Sequence, residues 1–179
     1  EDNPRDALLD DLGVADLLFC SESDTSFRTF IAVANGRAEI ADLSQVAFNG
    51  PRPRLHFADK SIPDGDTLDV IAAHDLMGTE ELSENGKISG FYSLLPPGIK
   101  ITTALANRGC RAQCTFCSVR NFNGLSVRRR SATSVVDEMI GLRDDFGIEH
   151  IMWLDDDFLY NRDRSIELFN EMIRRDVGM

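Results

Sequence analysis

Apolar positions recur along this chain at two periods, a strand-like run near the start and then alternating strand and helix patterns after Gly98. Val14 to Cys20 is a short apolar run ending at the turn-forming Ser21-Glu22-Ser23-Asp24, which suits a buried strand. Asp24 or Thr25 then caps a helix that presents Phe27, Phe30, Ile31 and Ala34 on one face and stops at Asn35-Gly36. Residues 1–16 are acidic around short apolar pieces, a fraying helix or a loop. From Asn49 to Gly98 turn signals crowd together: Asn49-Gly50-Pro51, Pro63-Asp64-Gly65, Asn85-Gly86 and Pro96-Pro97-Gly98. That composition predicts a linker with short strands and one helical turn near Leu68 to Met77. No internal repeat or low-complexity tract interrupts it.

Beyond Gly98 the pattern becomes regular. Ile99 to Ala106 alternates β-branched and small residues like a strand, and a cysteine-rich loop follows. Ser131 opens a helix in which Val135, Val136, Met139, Ile140 and Phe146 share helical spacing, ending near Gly147. Ile148 to Leu154 is an apolar strand apart from Glu149 and His150, closed by Asp155-Asp156-Asp157. A second amphipathic helix shows Ile166, Leu168, Phe169, Met172 and Ile173, with Gly178 just past its end. Strand, loop, helix repeated twice predicts an α/β fold with parallel strands joined by right-handed crossovers. Two such units do not close a sheet, so the pattern predicts a fold continuing past residue 179.

Composition narrows the function. The chain has 179 residues, 42% hydrophobic and 27% charged, in the range of globular domains. Mean hydropathy is negative and no apolar run approaches a bilayer span, which argues against a membrane protein. The start, Glu1-Asp2-Asn3-Pro4, has neither the basic residues nor the apolar core of a targeting segment, so a cytoplasmic protein is expected. A net charge of −11 disfavours general nucleic-acid or anionic-membrane binding, which draws on clustered Lys and Arg. That average hides an island. Ile101 to Val136 contains no Asp or Glu but holds Arg108, Arg111, Arg120, Arg128, Arg129 and Arg130, together with three of the four cysteines.

Those three, Cys110, Cys114 and Cys117, have three and then two residues between them and directly follow a strand. Cytosolic thiols this closely spaced point to metal or redox chemistry rather than a disulfide framework. Three Cys ligands on one loop can hold three irons of a cubane and leave the fourth open to chelate a small molecule. The arginine-rich surroundings are expected to favour thiolates and to offset the cluster's negative charge.

With Phe116 just before the last cysteine, the loop closely resembles the signature of the radical S-adenosylmethionine (SAM) superfamily. Asn107-Arg108-Gly109, Arg128-Arg129-Arg130-Ser131, Val135-Val136-Asp137-Glu138 and Trp153-Leu154-Asp155-Asp156-Asp157-Phe158 look like the subgroup that follows a cobalamin-binding domain. Residues 14–36 are similar to the last strand and helix of that domain, with Ser21-Glu22-Ser23-Asp24 where a glycine- and glutamate-rich turn is usual. The resemblance implies three regions: the tail of a doubly wound, cobalamin-binding-like domain at 1–48, a linker at 49–98, and the N-terminal part of a partial (β/α)6 barrel at 99–179. It implies that Cys110, Cys114 and Cys117 ligate a [4Fe-4S] cluster and that Phe116 lies near the adenine of SAM. Asp155, Asp156 and Asp157 stand where relatives contact the SAM amino group, often through Gly-Gly-Glu, which this chain lacks. The implied chemistry is reductive cleavage of SAM to a 5′-deoxyadenosyl radical, serving cobalamin-dependent methyl transfer or a carbon-skeleton or ring rearrangement. Implied partners are a small-molecule substrate and a reductant such as flavodoxin or ferredoxin. The Asp-x-His-x-x-Gly loop with which relatives bind the corrin is absent; His74 has Gly78 four residues on but Ala72 in place of the Asp.

Other readings stand beside these. A methylthiotransferase-type radical SAM enzyme acting on RNA or protein would need a second cluster upstream, and no second cysteine trio is present. A zinc-binding interaction module would need a fourth ligand, from Cys20, His56, His74 or His150, none of them in a paired spacing. The Asp triplet also reads as a solvated strand end or a helix-start signal. A magnesium site there lacks a second group of oxygens. The arginine triplet suits either structural duty or a phosphate-binding patch. Met152, Trp153 and the helical stripes read as core, and Cys20 as a buried small hydrophobe.

Overall fold

A computed structural model of the chain describes residues 17–48, 68–76 and 98–179. The expectations for residues 1–16, 49–67 and 77–97, which include most of the linker, lie outside the described residues. The chain divides into two units, Glu1–Pro63 and Asp64–Met179.

In the first unit β1 (Leu17–Phe19) pairs antiparallel with β2 (Val46–Phe48), Leu17 opposite Phe48 and Phe19 opposite Val46. The helix α1 (Asp24–Ala34) lies between them in sequence. Its N-cap is Ser23, one residue before the expected Asp24 or Thr25, so the Asp24 carboxylate sits in the first turn against the positive end of the helix. Asn35-Gly36 ends the helix as expected, with Gly36 at φ 68°. The apolar stripe is not the buried face: Phe27 and Ile31 are exposed, and the buried helix residue is Ser26. Phe27 and Phe30 instead pack edge-on to Phe19, at 5.8 and 6.1 Å between ring centres. Cys20 is half-buried rather than buried, and its backbone N–H donates to the Gln45 carbonyl.

The second unit is α/β. β3 (Ile101–Ala104) pairs parallel with β6 (His150–Trp153), from Ile101 opposite His150 to Ala104 opposite Trp153. Between them come β4 (Asn107–Arg108), the cysteine loop, α2 (Val119–Asn123), β5 (Arg128–Arg129) and α3 (Ala132–Phe146). β4 and β5 form a two-residue antiparallel ladder that brackets the loop, Asn107 opposite Arg129. α4 (Arg162–Arg174) follows β6.

α3 has the two ends its sequence predicts. The Ser131 hydroxyl accepts the Ser134 N–H at 3.1 Å, satisfying a helix-start donor. Gly147 takes φ 65° and donates to the Arg143 carbonyl, while Ile148 donates to Leu142. The core forms where α3 meets α4 and the β3 exit: Val135, Val136 and Met139 pack with Ala106, Leu168 and Val177, and Trp153 and Phe158 flank them. Burying such side chains stabilises the fold by about 1.5–3 kcal/mol each. A second small cluster joins Leu142 to Ile148. Met152 and Trp153 are half-buried. On α4 only part of the predicted apolar arc is covered: Leu168 is buried and Met172 half-buried, whereas Ile166, Phe169 and Ile173 are exposed. Phe169 still meets the Phe158 ring, at 6.1 Å between ring centres.

One buried ionic group joins these elements. Arg130 and Glu138, 7% and 6% exposed, form an ion pair inside the unit. Arg130 also donates to the Leu105 carbonyl at 3.1 Å and to Ser134, and its own carbonyl accepts from Arg164 at 2.7 Å. The far Glu138 oxygen meets His74 Nε2 at 2.8 Å, on the helical turn His74–Leu76. Asp69 accepts the Ser131 N–H at 2.6 Å, so residues 68–76 are fastened to the start of α3 at two points.

Candidate metal centre at the cysteine loop

The cysteine loop leaves the carboxyl end of β3, the end of a parallel sheet at which α/β proteins place their ligands. Gly109 makes the entry possible. It takes φ 91°, and a Cβ there would lie 2.4 Å from the Ser126 carbonyl oxygen, so the chain passes a neighbouring backbone where no side chain fits. Cys110 and Cys117 are half-buried and Cys114 is exposed; all three thiols are free. Cys117 N–H donates to the Cys114 carbonyl at 3.2 Å, closing a tight turn between the last two. The Ala112 N–H points at Cys110 Sγ at 3.4 Å, an amide donor toward a sulfur of the kind that tunes thiolate ligands.

Among the described residues no three His, Cys, Asp or Glu side chains converge closely enough to hold a single metal ion. Ligands of a cubane bond separate irons, so a cluster does not require such convergence on one point. Three uncommitted sulfur donors on one exposed loop, with an amide aimed at one of them, fit a [4Fe-4S] group.

The Asp triplet resolves into three environments. Asp155 accepts the Ala106 N–H with both oxygens, at 3.1 and 3.2 Å, and the Asn107 N–H at 2.6 Å. Burial pushes its carboxyl above the ordinary range, opposed by those backbone donors. Asp156 is exposed and accepts from Asn123 Nδ2 at 3.0 Å. Asp157 pairs with Arg111 Nε at 3.0 Å, and the same guanidinium donates to the Tyr160 carbonyl at 2.7 Å. Phe116 is 90% exposed, its ring bare beside Cys117.

The arginine island is not a field of loose positive charge. Arg130 is buried against Glu138, Arg129 faces Glu167 at 3.8 Å, Arg128 donates to the Asn123 carbonyl and Arg111 holds Asp157. Acids from distant sequence meet three arginines of the acid-free stretch, Arg111, Arg129 and Arg130. Of the triplet Arg128–Arg130, Arg130 is the buried member.

A cavity of about 410 Å3 runs along β3, lined by Thr102, Thr103, Asn107, Arg108, Arg130 and His74 among others. None of the three cysteines lines it. Sequence reasoning missed this cavity, because its walls come from segments far apart in the chain.

No family model matches the chain. It is 27% identical, over 97% of its length and 35% of the relative's, to cytidylyl-2-hydroxyethylphosphonate methyltransferase of Streptomyces wedmorensis. It is 30% identical, over 63% of its length and 19% of the relative's, to the anaerobic magnesium-protoporphyrin IX monomethyl ester cyclase of Cereibacter sphaeroides. Among solved structures, the radical SAM methyltransferase TsrM of Kitasatospora setae, with tryptophan and a SAM analogue bound, superposes with a TM-score of 0.63 at 19% identity, over 97% of this chain and 31% of that one. The cobalamin-dependent SAM radical enzyme OxsB superposes at 0.58 and 16% identity, over 89% and 21%. The chain is similar in fold to these two radical SAM enzymes. It shares their mixed α/β fold and spans about a third of the length of the first curated relative it matches. Among its described residues no helix is long and apolar enough to cross a membrane.

Proposed function

We propose that Cys110, Cys114 and Cys117 hold three irons of a [4Fe-4S] cluster, and that the fourth iron takes the amino and carboxylate groups of SAM. The observation that carries this reading is the position of three free thiols, in the three-then-two spacing, at the carboxyl end of a parallel strand. When bound, the cluster supplies an electron and an open coordination position. The remaining work belongs to the chain. Ala112 N–H donates toward Cys110, the Cys114–Cys117 turn fixes two ligands together, and the exposed Phe116 ring is free to stack on an adenine. Of the three aspartates, Asp156 is the exposed one, suited to an ammonium group; Asp155 and Asp157 are committed within the protein.

On this reading residues 99–179 are the first two strand–helix units of a partial (β/α)6 barrel, residues 49–98 a linker, and residues 1–48 the tail of a doubly wound domain. Cobalamin enters by likeness to TsrM and OxsB. Residues 17–48 contain no histidine to ligate cobalt, so no step is assigned to the corrin here. The whole protein is proposed to be an enzyme of carbon-centred radical chemistry on a small molecule, methyl transfer first, fed by a flavodoxin- or ferredoxin-type reductant.

Anaerobic reconstitution with iron and sulfide tests the core of this. We expect about four irons and four sulfides per chain and, after reduction, an electron paramagnetic resonance signal whose shape changes when SAM is added. Replacing any one of the three cysteines by alanine should abolish the signal. Stoichiometric zinc without sulfide, or an intact signal in a Cys114→Ala protein, would sink the assignment.

A further inference from the structure

The triplet after β6 touches the cysteine loop at Arg111 and the chain on either side of the loop at Ala106, Asn107 and Asn123. Asp155 takes the two amides where the chain leaves β3, Asp157 grips Arg111 directly after Cys110, and Asp156 holds Asn123 at the end of α2, past Cys117. Arg111 is also fixed to the Tyr160 carbonyl, so the post-β6 segment holds it through both an acid and a backbone oxygen. Two successive backbone N–H groups on one carboxylate are charge-assisted bonds, stronger than neutral ones and strict about direction. Cys110 therefore sits between two fixed neighbours: Gly109, lodged against Ser126, and Arg111, lodged against Asp157. Cys114 and Cys117 are tied mainly to each other by their local turn. What the turn cannot set is the distance from that pair to Cys110.

We propose that Asp155 and Asp157 are positioning residues that set where Cys110 stands relative to Cys114 and Cys117, rather than groups that hold SAM. The proposal rests on the thiols being ligands, as proposed above, but the clamp is made by protein groups alone. Losing one or two of its bonds should raise local opening by a factor of about 5 to 30. Asp155→Asn keeps an acceptor oxygen for the same two amides, so it is the conservative variant. The Arg111–Asp157 pair lies toward the surface and can be broken without touching the core.

The experiment has two arms on the same anaerobic protein. In the metal-free arm, alkylation of each cysteine is timed by mass spectrometry. Asp155→Ala and Arg111→Gln should each speed labelling of Cys110 about fivefold or more and leave the already exposed Cys114 little changed, with Asp155→Asn close to the parent. In the reconstituted arm, iron content, the paramagnetic line shape and the midpoint potential are measured. Asp155→Ala and Arg111→Gln should alter line shape and potential, and the exchange of charges in an Arg111→Asp, Asp157→Arg double variant should restore them toward the parent. Should Asp155→Ala fail to fold, Arg111→Gln and the double variant decide alone. Unchanged Cys110 labelling with an unchanged signal, or an Asp155→Asn protein as impaired as Asp155→Ala, overturns the proposal. A parent protein that binds no iron while its Cys110 labelling responds as stated overturns the cluster reading and leaves the clamp standing.

Discussion

His74 and Glu138, 64 positions apart in sequence, meet at 2.8 Å, and the other oxygen of Glu138 faces Arg130 in the interior. One carboxylate thus fastens residues 68–76, the start of α3 and the exit of β3 to one another.

Removing that carboxylate leaves a buried guanidinium without its counter-charge. Glu138→Ala is expected to cost about 3–5 kcal/mol, read as a lowered midpoint in urea unfolding of the second unit. Glu138→Gln keeps an acceptor but loses the charge, and should fall between parent and Ala. A loss below about 1 kcal/mol for Glu138→Ala would mean that solvent reaches Arg130.

Gly109→Ala places a methyl group 2.4 Å from the Ser126 carbonyl oxygen, in a backbone region that alanine avoids. A destabilisation of about 1–3 kcal/mol is expected, together with loss of iron binding, because Cys110 is the next residue. Circular dichroism melting and iron analysis on one preparation check both.

Leu142 is 1% exposed and packs with Ile148 behind the helix end. Leu142→Ala should cost about 2–5 kcal/mol, depending on how far the site collapses, while the cysteine loop, which does not contact this cluster, keeps its labelling pattern. Equal sensitivity of Cys110 labelling would refute that independence.

Asp155 gives a pH signature. Its folded-state pKa is raised, chiefly by desolvation and against the pull of the Ala106 and Asn107 amides. An acid that binds its proton more tightly when folded adds stability below its unfolded value, about 3.9, and that contribution is lost as pH rises through the raised folded value. The parent should therefore lose relative stability over that interval when compared with Asp155→Asn. Chemical unfolding of both proteins at successive pH values measures the difference. Parallel profiles would contradict the assignment.

Sequence showed most where structure is decided locally. The ends of α3 were legible because Ser131 and Gly147 act within one turn of themselves, and the thiol trio because its spacing is a property of seven consecutive intervals. What escaped was non-local. The aspartates at 155–157 read as a strand end or a ligand group, since nothing in their own neighbourhood announces bonds to Ala106, Arg111 and Asn123. The partners of Arg129 and Arg130 escaped for the same reason: Glu167 and Glu138 lie outside the acid-free stretch. The β4–β5 ladder is two residues long, too short for an alternating pattern to show. Helical spacing named the apolar arc of α4 but not its cover, and so Ile173 was expected inside and stands 77% exposed.

The open face of Cys114 has a practical cost. A sulfur that water reaches is also reached by peroxide and dioxygen, and the first oxidation product can condense with a neighbouring thiol. Cys110 and Cys117 are the neighbours. Handling in air should thus set a race that metal loading loses, and protein prepared without reductant should run as a mixture of masses that dithiothreitol collapses to one.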